Sequence, residues 1–518
     1  MTESAQSTDT SKDVDQDVHF AQTQLNCDVP VWHVRVAILG AGFSGLGMAI
    51  QLKRHGYHDF AIIEQMADVG GTWRDNTYPG CACDTPSHLY SFSFAPNPNW
   101  SHTFANQQEI WDYLRHCSTR FGIGPHIQWN CKLLEASWHN DEQHWHIKTT
   151  QGQLTANFFI LGGGLLNEPS LPSLPGIENF EGTLFHSARW KHDYDLTGKR
   201  VAVIGTGAST IQFVPQIQPL VGQLSLFQRT PSWIMPHPSR PIPAWQKTLF
   251  RILPFTQRLA RIKAYWLREL LALAFVYRTQ LVKSIEQMAI QHLHNQINDP
   301  ILREKLTPRY MLGCKRVPIS NNFYPAIARS NVELVTEAIR EVQTHCIVTE
   351  DGQEREIDTI ICATGFHVIE NQLSRSIYGR DGQSLADNWK SCPGAYLGIT
   401  VASFPNLFLL LGPNTALGHT SVMFMVEAQI TYILDCLRIV DQRNLGAVEV
   451  LPASQEMFSA EMQRRSRRTV WNSGCTSWYL NTKGHNTAIW PGFTFEFWYR
   501  TRHFDPQHYS AIVRRGIS

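Results

Sequence analysis

Charge, paired cysteines and unbroken apolar runs are all scarce in this 518-residue chain, and each shortage removes a class of function. Only 17% of the residues are Asp, Glu, Lys or Arg, and the formal net charge is +1. With no basic stripe to track a phosphate backbone, nucleic acid is not an expected partner. The opening MTESAQSTDTSKDVDQDVHF lacks the basic and then apolar pattern of a signal peptide, so residues 1–33 read as a flexible polar tail. The eleven cysteines are scattered, and Cys81 and Cys83 stand one residue apart, which is not zinc-finger spacing. Reduced thiols in a cytoplasmic protein are the expectation. No His or carboxylate cluster has metal-ligand spacing, so no metal is expected. The longest stretch without charge, Ser391 to Val426, is interrupted by Pro393, Pro405, Asn406, Pro413 and Asn414. A helix in lipid does not tolerate that many breaks, so no transmembrane segment is expected and the stretch reads as buried core.

What remains is globular: 43% hydrophobic residues, in a chain long enough for two or three domains. The segment HVRVAILGAGFSGLGMAIQLKRHGYHDFAIIEQ begins with an apolar strand, Val34 to Leu39. A glycine turn follows and then a helix with apolar residues at Leu46, Ala49, Ile50 and Leu52; a second strand, Ala61 to Ile63, ends on Glu64. In such a turn Gly40 permits the tight bend, Gly42 lets backbone approach a pyrophosphate, and Gly45 lets helix and strand pack closely. Glu64 is placed to accept hydrogen bonds from a ribose hydroxyl. An acid there favours an unphosphorylated ribose, hence FAD or NAD over NADP.

A second copy begins at GKRVAVIGTGASTIQFVPQI. Gly205 and Gly207 hold the first two glycine positions and Thr210 the third, so this helix must sit slightly further from its strand. The following strand, in LSLFQRTPSW, ends in Arg229 and Thr230 with no acid, and a cation there suits the 2′-phosphate of NADPH. The two sites together read as FAD in the first fold and NADPH in the second. IDTIICATGF, ending at Phe366, is a strand where the chain re-enters the flavin domain. FPNLFLLLGPNT, Phe404 to Thr415, adds another strand and a turn that brings Asn414 towards the flavin. Between Pro241 and Pro308 the apolar residues Leu249, Ile252, Leu259, Ile262, Trp266, Leu270 and Phe275 fall at helical spacing. This reads as a helical insertion covering the active site, with a weak peripheral membrane contact as its second reading.

The expected fold is therefore α/β, with two Rossmann-like dinucleotide-binding domains, the NADP domain inserted in the FAD domain, and a helical insertion. The segments run 34–168 (FAD domain, first part), 169–236 (NADP domain, first part), 237–314 (helical insertion), 315–368 (NADP domain, second part) and 369–518 (FAD domain, second part).

Several flavoenzyme classes share this plan. Disulfide reductases place a cysteine pair directly after a Gly-Gly-Thr; in GGTWRDNTYPGCACD those positions hold Trp73 and Tyr78, which exchange no thiols. The same stretch resembles the longer signature of type I Baeyer–Villiger monooxygenases, a family of class B flavoprotein monooxygenases, at Gly71, Trp73, Tyr78, Pro79, Gly80 and Asp84. FEGTLFHSARWKHD resembles their short fingerprint at Phe180, Gly182, His186 and Trp190, with Lys191 where Pro or Asp usually follows. Flavin N- and S-monooxygenases resemble the pattern too, but carry Phe or Tyr where Trp190 stands.

The resemblance implies that NADPH reduces FAD, that O2 forms a C4a-peroxyflavin, and that this attacks a ketone to give an ester or lactone. It implies Arg316 as the active-site cation and Asp84 as its partner acid, with Lys315 on the NADP phosphate and Trp478 at the nicotinamide ribose. Thr72, Trp73 and Tyr78 are assigned to cofactor contact with them, and His186 to a structural role. The substrates implied are a small ketone and O2. Oxidation of amines or sulfides is the alternative chemistry, and a non-catalytic dinucleotide sensor the alternative class. Oligomeric state is open.

Overall fold

A computed structural model describes residues 32–368, 372–390, 392–481 and 483–514. Most of the tail assigned to residues 1–33 lies outside them, but Trp32 and His33 already belong to the first strand, β1 (Trp32–Leu39). Val36, Ala37 and Ile38 are fully buried, as a strand covered on both faces requires. Helix α1 (Phe43–Arg54) leads to β2 (Phe60–Ile63), which pairs parallel with β1. An antiparallel meander follows, β3 (Leu133–His139), β4 (His144–Thr149) and β5 (Gly152–Leu161), and β5 closes parallel onto the other edge of β1. A later strand, Leu407–Leu409, pairs with β5.

The second sheet is wholly parallel. It contains β6 (Thr183–His186), β7 (Arg200–Ile204), β8 (Gln223–Phe227), β9 (Val332–Val335) and β10 (Thr359–Cys362), in the order β9-β8-β7-β10-β6, with helix α2 (Ala208–Ile217) after β7. All its strands fall between β5 and Leu407–Leu409, so one nucleotide fold is nested in the other. The two chain crossings pair with each other: the Ser170 amide donates to Gly365 O at 2.9 Å and the His367 amide to Glu168 O at 2.9 Å. This is an α/β architecture of two Rossmann-like domains.

Between β8 and β9 lie helices α3 (Ala244–Ile252), α4 (Pro254–Ala272) and α5 (Val282–Gln296). The uncharged stretch before Val426 is core, with Val401, Phe404, Phe408 and Met425 buried. Among the described residues no helix is long and apolar enough to cross a membrane.

Two expectations about side chains are corrected. Cys314 and Cys475 form a disulfide with Cα atoms 6.2 Å apart, while the eight other cysteines among the described residues are free. The partners are 161 residues apart, a separation that no local spacing reveals. His139, Glu142 and His146, which stand within eight consecutive residues, also bring their ligand atoms within 4.8 Å of one another, against the expectation that no such cluster exists. The β3–β4 hairpin folds them onto one exposed face, where His146 pairs with Glu142 at 2.7 Å and stacks on His139.

Candidate active site

The first glycine turn is built to bring backbone together. Gly40 has φ +91°, and a Cβ built on Gly45 would sit 1.8 Å from the Gly40 carbonyl oxygen, so no side chain fits between α1 and the turn. Gly42 faces Gly71 across a side-chain-free gap, with a Cβ on Gly42 3.7 Å from the Gly71 Cα. Bare backbone at the start of α1 suits a pyrophosphate, and this cradle fits the FAD of the sequence expectation. Glu64 is buried beside it and accepts from the Ala41 amide at 2.8 Å, the Met66 amide at 3.0 Å and Arg74 Nη1 at 3.0 Å. A carboxylate offers about four acceptor positions, which leaves one for a ribose hydroxyl. Arg74 was not anticipated. It stands inside the GGTWRD motif but carries no signal beyond its charge.

In the second turn Gly205 has φ +108°, and a Cβ on it would meet the Ala363 oxygen at 2.6 Å, whereas the space around Gly207 is open. Thr210 takes up the wider gap by donating its hydroxyl to the Gly205 carbonyl at 2.9 Å. The Thr206 hydroxyl donates to Thr230 O at 3.1 Å and so fixes the turn to the end of β8. Arg229 is exposed there, and Lys315, from beyond the helical insertion, has its ammonium 5.0 Å from the Tyr310 ring centroid. Burial, followed by the Arg229 charge, holds the Lys315 ammonium below its ordinary pKa. Among the described residues neither cation is in an ion pair. Two unpaired cations in each other's field, one of them at the end of the strand after the glycine turn, fit the phosphate of NADP.

Arg316 and Asp84 meet as a planar fork. Arg316 Nε donates to Asp84 Oδ2 at 2.8 Å and Nη2 donates to Oδ1 at 2.5 Å. Burial on its own would raise the Asp84 carboxyl, but the Arg316 charge and hydrogen bonds outweigh it and hold it below the usual range. The Asp84 charge in turn raises the guanidinium against the cost of burial. The Arg316 side chain keeps 45% of its surface and Asp84 19%, so the guanidinium is open to solvent and not locked in packed core. A second guanidinium, Arg268 of α4, lies within the field of Asp84 and is lowered by burial in spite of it. The sequence pattern treated α4 as a cover and did not find Arg268.

Other assigned residues fall elsewhere. Trp73 is buried and donates its indole N–H to the Tyr90 hydroxyl at 3.1 Å, while Thr72 is exposed. Tyr78 faces the second fold: its hydroxyl donates to Gln212 Oε1 of α2 at 2.9 Å. Gln212 also donates to Ala82 O at 2.9 Å, and a Cβ on Gly80 would strike the Gln212 carbonyl at 2.7 Å. Trp190 packs against the neighbouring Phe213 with ring centroids 5.3 Å apart and planes tilted by 56°, and Lys191 is exposed. His186 is buried, and its ring nitrogen accepts from the Ala188 amide at 3.1 Å. The Asn414 amide donates to Asn486 O at 2.9 Å and Ile489 O at 3.4 Å, holding one loop against another. Trp478 is 41% exposed beside Tyr479, and the Cys314–Cys475 bridge joins its loop to the residue before Lys315.

Two glycine turns on separate folds, one beside a buried acid and one beside an exposed cation, accord with the class its relatives give, a flavoprotein monooxygenase that uses FAD and NADPH. The chain belongs to the flavin-binding monooxygenase-like family, whose model matches residues 33–383. It is 49% identical over 480 residues to a Baeyer–Villiger monooxygenase of Pseudomonas aeruginosa, covering 92% of this chain and 91% of that one. The closed crystal structure of cyclohexanone monooxygenase superposes with a TM-score of 0.83 at 26% identity, over 94% of this chain and all of that one. The complex of OTEMO with FAD and NADP gives 0.81 at 27% identity, over 90% and 97% of the two chains.

Proposed function

We propose that this protein is a Baeyer–Villiger monooxygenase that inserts one oxygen of O2 beside a ketone carbonyl, giving an ester or lactone and consuming NADPH. The observation that carries the reading is the Arg316–Asp84 fork. When bound, FAD supplies the activation of O2 and NADPH the reducing hydride. This chain supplies orientation and charge.

A guanidinium has five N–H donors, and Asp84 takes two, which leaves three to face a developing oxyanion. Arg316 keeps its proton throughout, as a lysine would not, so the charge it offers is permanent. Asp84 stays ionised and fixes the plane of the fork. Arg229 and Lys315 hold the 2′-phosphate, and Trp478 covers the nicotinamide ribose. With NADPH as reductant the protein is read as cytoplasmic, and its disulfide is then one of the less common bridges kept in a reducing compartment.

The test is turnover of linear and cyclic ketones under 18O2 with NADPH, read by mass spectrometry. One labelled oxygen in an ester or lactone is expected. Arg316→Ala should lower ester formation by roughly a hundred- to a thousandfold, and ester formation at the parental rate in that variant would refute its role. A protein that oxidises sulfides or amines but no ketone would belong to the alternative chemistry.

A further inference from the structure

Helix α4 is amphipathic in the inverted sense. Its polar residues Gln257, Arg261, Tyr265 and Glu269 recur every four positions and point inward. Gln257 donates to Asn97 O at 2.6 Å, and Arg261 donates to His88 O at 2.6 Å and Ser91 O at 3.0 Å. Tyr265 bonds the Thr494 hydroxyl at 3.0 Å, and Glu269, only 1% exposed, accepts from that hydroxyl at 2.9 Å. The opposite face is apolar and open to solvent: Phe255, Leu259, Ile262, Trp266 (52% exposed), Leu270 (61%) and Leu273 follow the helical repeat. Trp245 and Ile252 of α3 extend this ridge. Phe495, Trp498 and Tyr499 of α6 (Thr494–Thr501) continue it, with Phe495 6.2 Å from the Trp266 ring. So many exposed apolar residues on neighbouring elements exceed what isolated surface side chains explain.

The charges around the ridge are one-sided. From Ala244 to Lys283 the outward cations are Lys247, Arg251, Arg258, Lys263, Arg278 and Lys283, while Arg261, Arg268 and the single acid Glu269 turn inward. The whole 518-residue chain carries a formal +1. We infer that the α3–α4 face is a docking surface for an anionic lipid bilayer. Leu, Ile, Phe and Trp side chains would enter the headgroup–acyl boundary, while Arg251, Arg258, Lys263, Arg278 and Lys283 meet lipid phosphates and carboxylates. Tryptophans at 245 and 266 suit that interface, where an indole has both an apolar and a polar neighbour. A second copy of the chain fits less well, because two such faces would bring like charges together.

The same helix reaches the active site from its inner side. Gln257 and Arg261 hold the 88–97 loop that follows Asp84, and Arg268 lies in the field of Asp84. A docked enzyme would therefore receive ketones dissolved in the bilayer, such as long-chain ketones. This second step rests on the proposed Baeyer–Villiger reaction; the docking does not.

The test is flotation of the intact protein with phosphatidylglycerol–phosphatidylcholine vesicles and with pure phosphatidylcholine vesicles. Co-flotation with the anionic vesicles alone, weakened by salt, is expected. Trp266→Ser with Leu270→Ser, and separately Arg258→Glu with Lys263→Glu, should each lower partitioning by about tenfold or more. Both variants should keep parental turnover of a small water-soluble ketone, which shows that they fold. Absence of flotation, or equal flotation of both variants, overturns the inference. So does a wild-type dimer that Trp266→Ser converts to monomer, since the face would then join two copies. Flotation without ketone turnover by the wild type would leave the docking standing and remove the proposed reaction.

Discussion

Removing one cation from the proposed phosphate site should change which nicotinamide cofactor the enzyme accepts, and the size of the change follows from the geometry. Lys315 lies within the field of Arg229, and among the described residues neither is in an ion pair. A 2′-phosphate carries about −1.5 to −2 charges at neutral pH, so it relieves their repulsion while accepting hydrogen bonds from both. A hydrogen bond to a charged group contributes about 1.5–3 kcal/mol, so Arg229→Ala should lower kcat/KM for NADPH by roughly ten- to a hundredfold. NADH lacks the phosphate and should lose little. Steady-state rates with both cofactors give the ratio directly. The pH dependence offers a second reading of the same pair. Burial and Arg229 depress Lys315 in the free enzyme, so NADPH affinity should fall as pH rises through that lowered pKa. With Arg229 gone one depressing charge is removed, and the alkaline limb should move to higher pH. Equal losses for NADPH and NADH, or an alkaline limb that stays in place, would refute the assignment.

Gly45→Ala puts a Cβ into the Gly40 carbonyl, so the purified variant should carry little flavin absorbance; a full FAD complement would contradict the packing argument. Gln212→Ala removes the acceptor of Tyr78 and the donor to Ala82, whereas Tyr78→Phe removes one bond, worth about 1 kcal/mol. Urea denaturation should therefore rank Gln212→Ala as the more damaging, and the reverse order would place the seam elsewhere. Closing a loop of 161 residues corresponds to about 5 kcal/mol by chain entropy. A phosphine reductant should accordingly lower Tm in the parent and leave Cys475→Ser unchanged; an unchanged parent would mean that the bridge does not form. Burial, then the charges of Arg189 and Arg261, pushes His186 and His88 down to about 4. The unfolded chain then takes up those protons first. Their contribution is complete above pH of about 6.5 and is lost as pH falls from there towards about 4. Urea midpoints between pH 8 and pH 4.5 that do not fall would oppose this.

The elements legible in the sequence are those whose cause is local. Val34 to Glu64 contains a strand, a turn and a helix, and Gly45 is forced by the Gly40 carbonyl within the same turn, whereas Gly40 is crowded by Gly162 and Gly42 faces Gly71 from further along the chain. Thr210 was legible for the same reason, because a third glycine replaced by a hydroxyl can only widen the gap or bridge it. Contacts made across the chain were not legible from spacing. Arg229 and Lys315 stand on opposite sides of the helical insertion, and Cys314 meets Cys475 only after the second fold has returned to the first. Arg316 and Asp84 were paired through a family resemblance and not through spacing. The α4 repeat showed a helix but not its orientation. Periodicity reports that one face is apolar, and only the buried partners of Gln257, Arg261 and Glu269 decide that the other face turns inward.

These long-range contacts converge on one seam. The loop from Trp73 to Asp84 belongs to the flavin fold, yet Tyr78, Gly80 and Ala82 lie against Gln212 on α2, and Trp190 of the short fingerprint packs on the next residue, Phe213. The end of the same loop is Asp84, which holds Arg316. Next to Arg316 stand Lys315 and then Cys314, tied to the loop of Trp478. A shift of α2 relative to the flavin cradle therefore pulls on the Asp84 loop at Gln212, and through Asp84 on the guanidinium. Gly182, His186 and Trp190 make sense in this setting without any chemistry of their own. They shape the edge strand β6 and place an indole against α2, beside the loop that ends in Asp84.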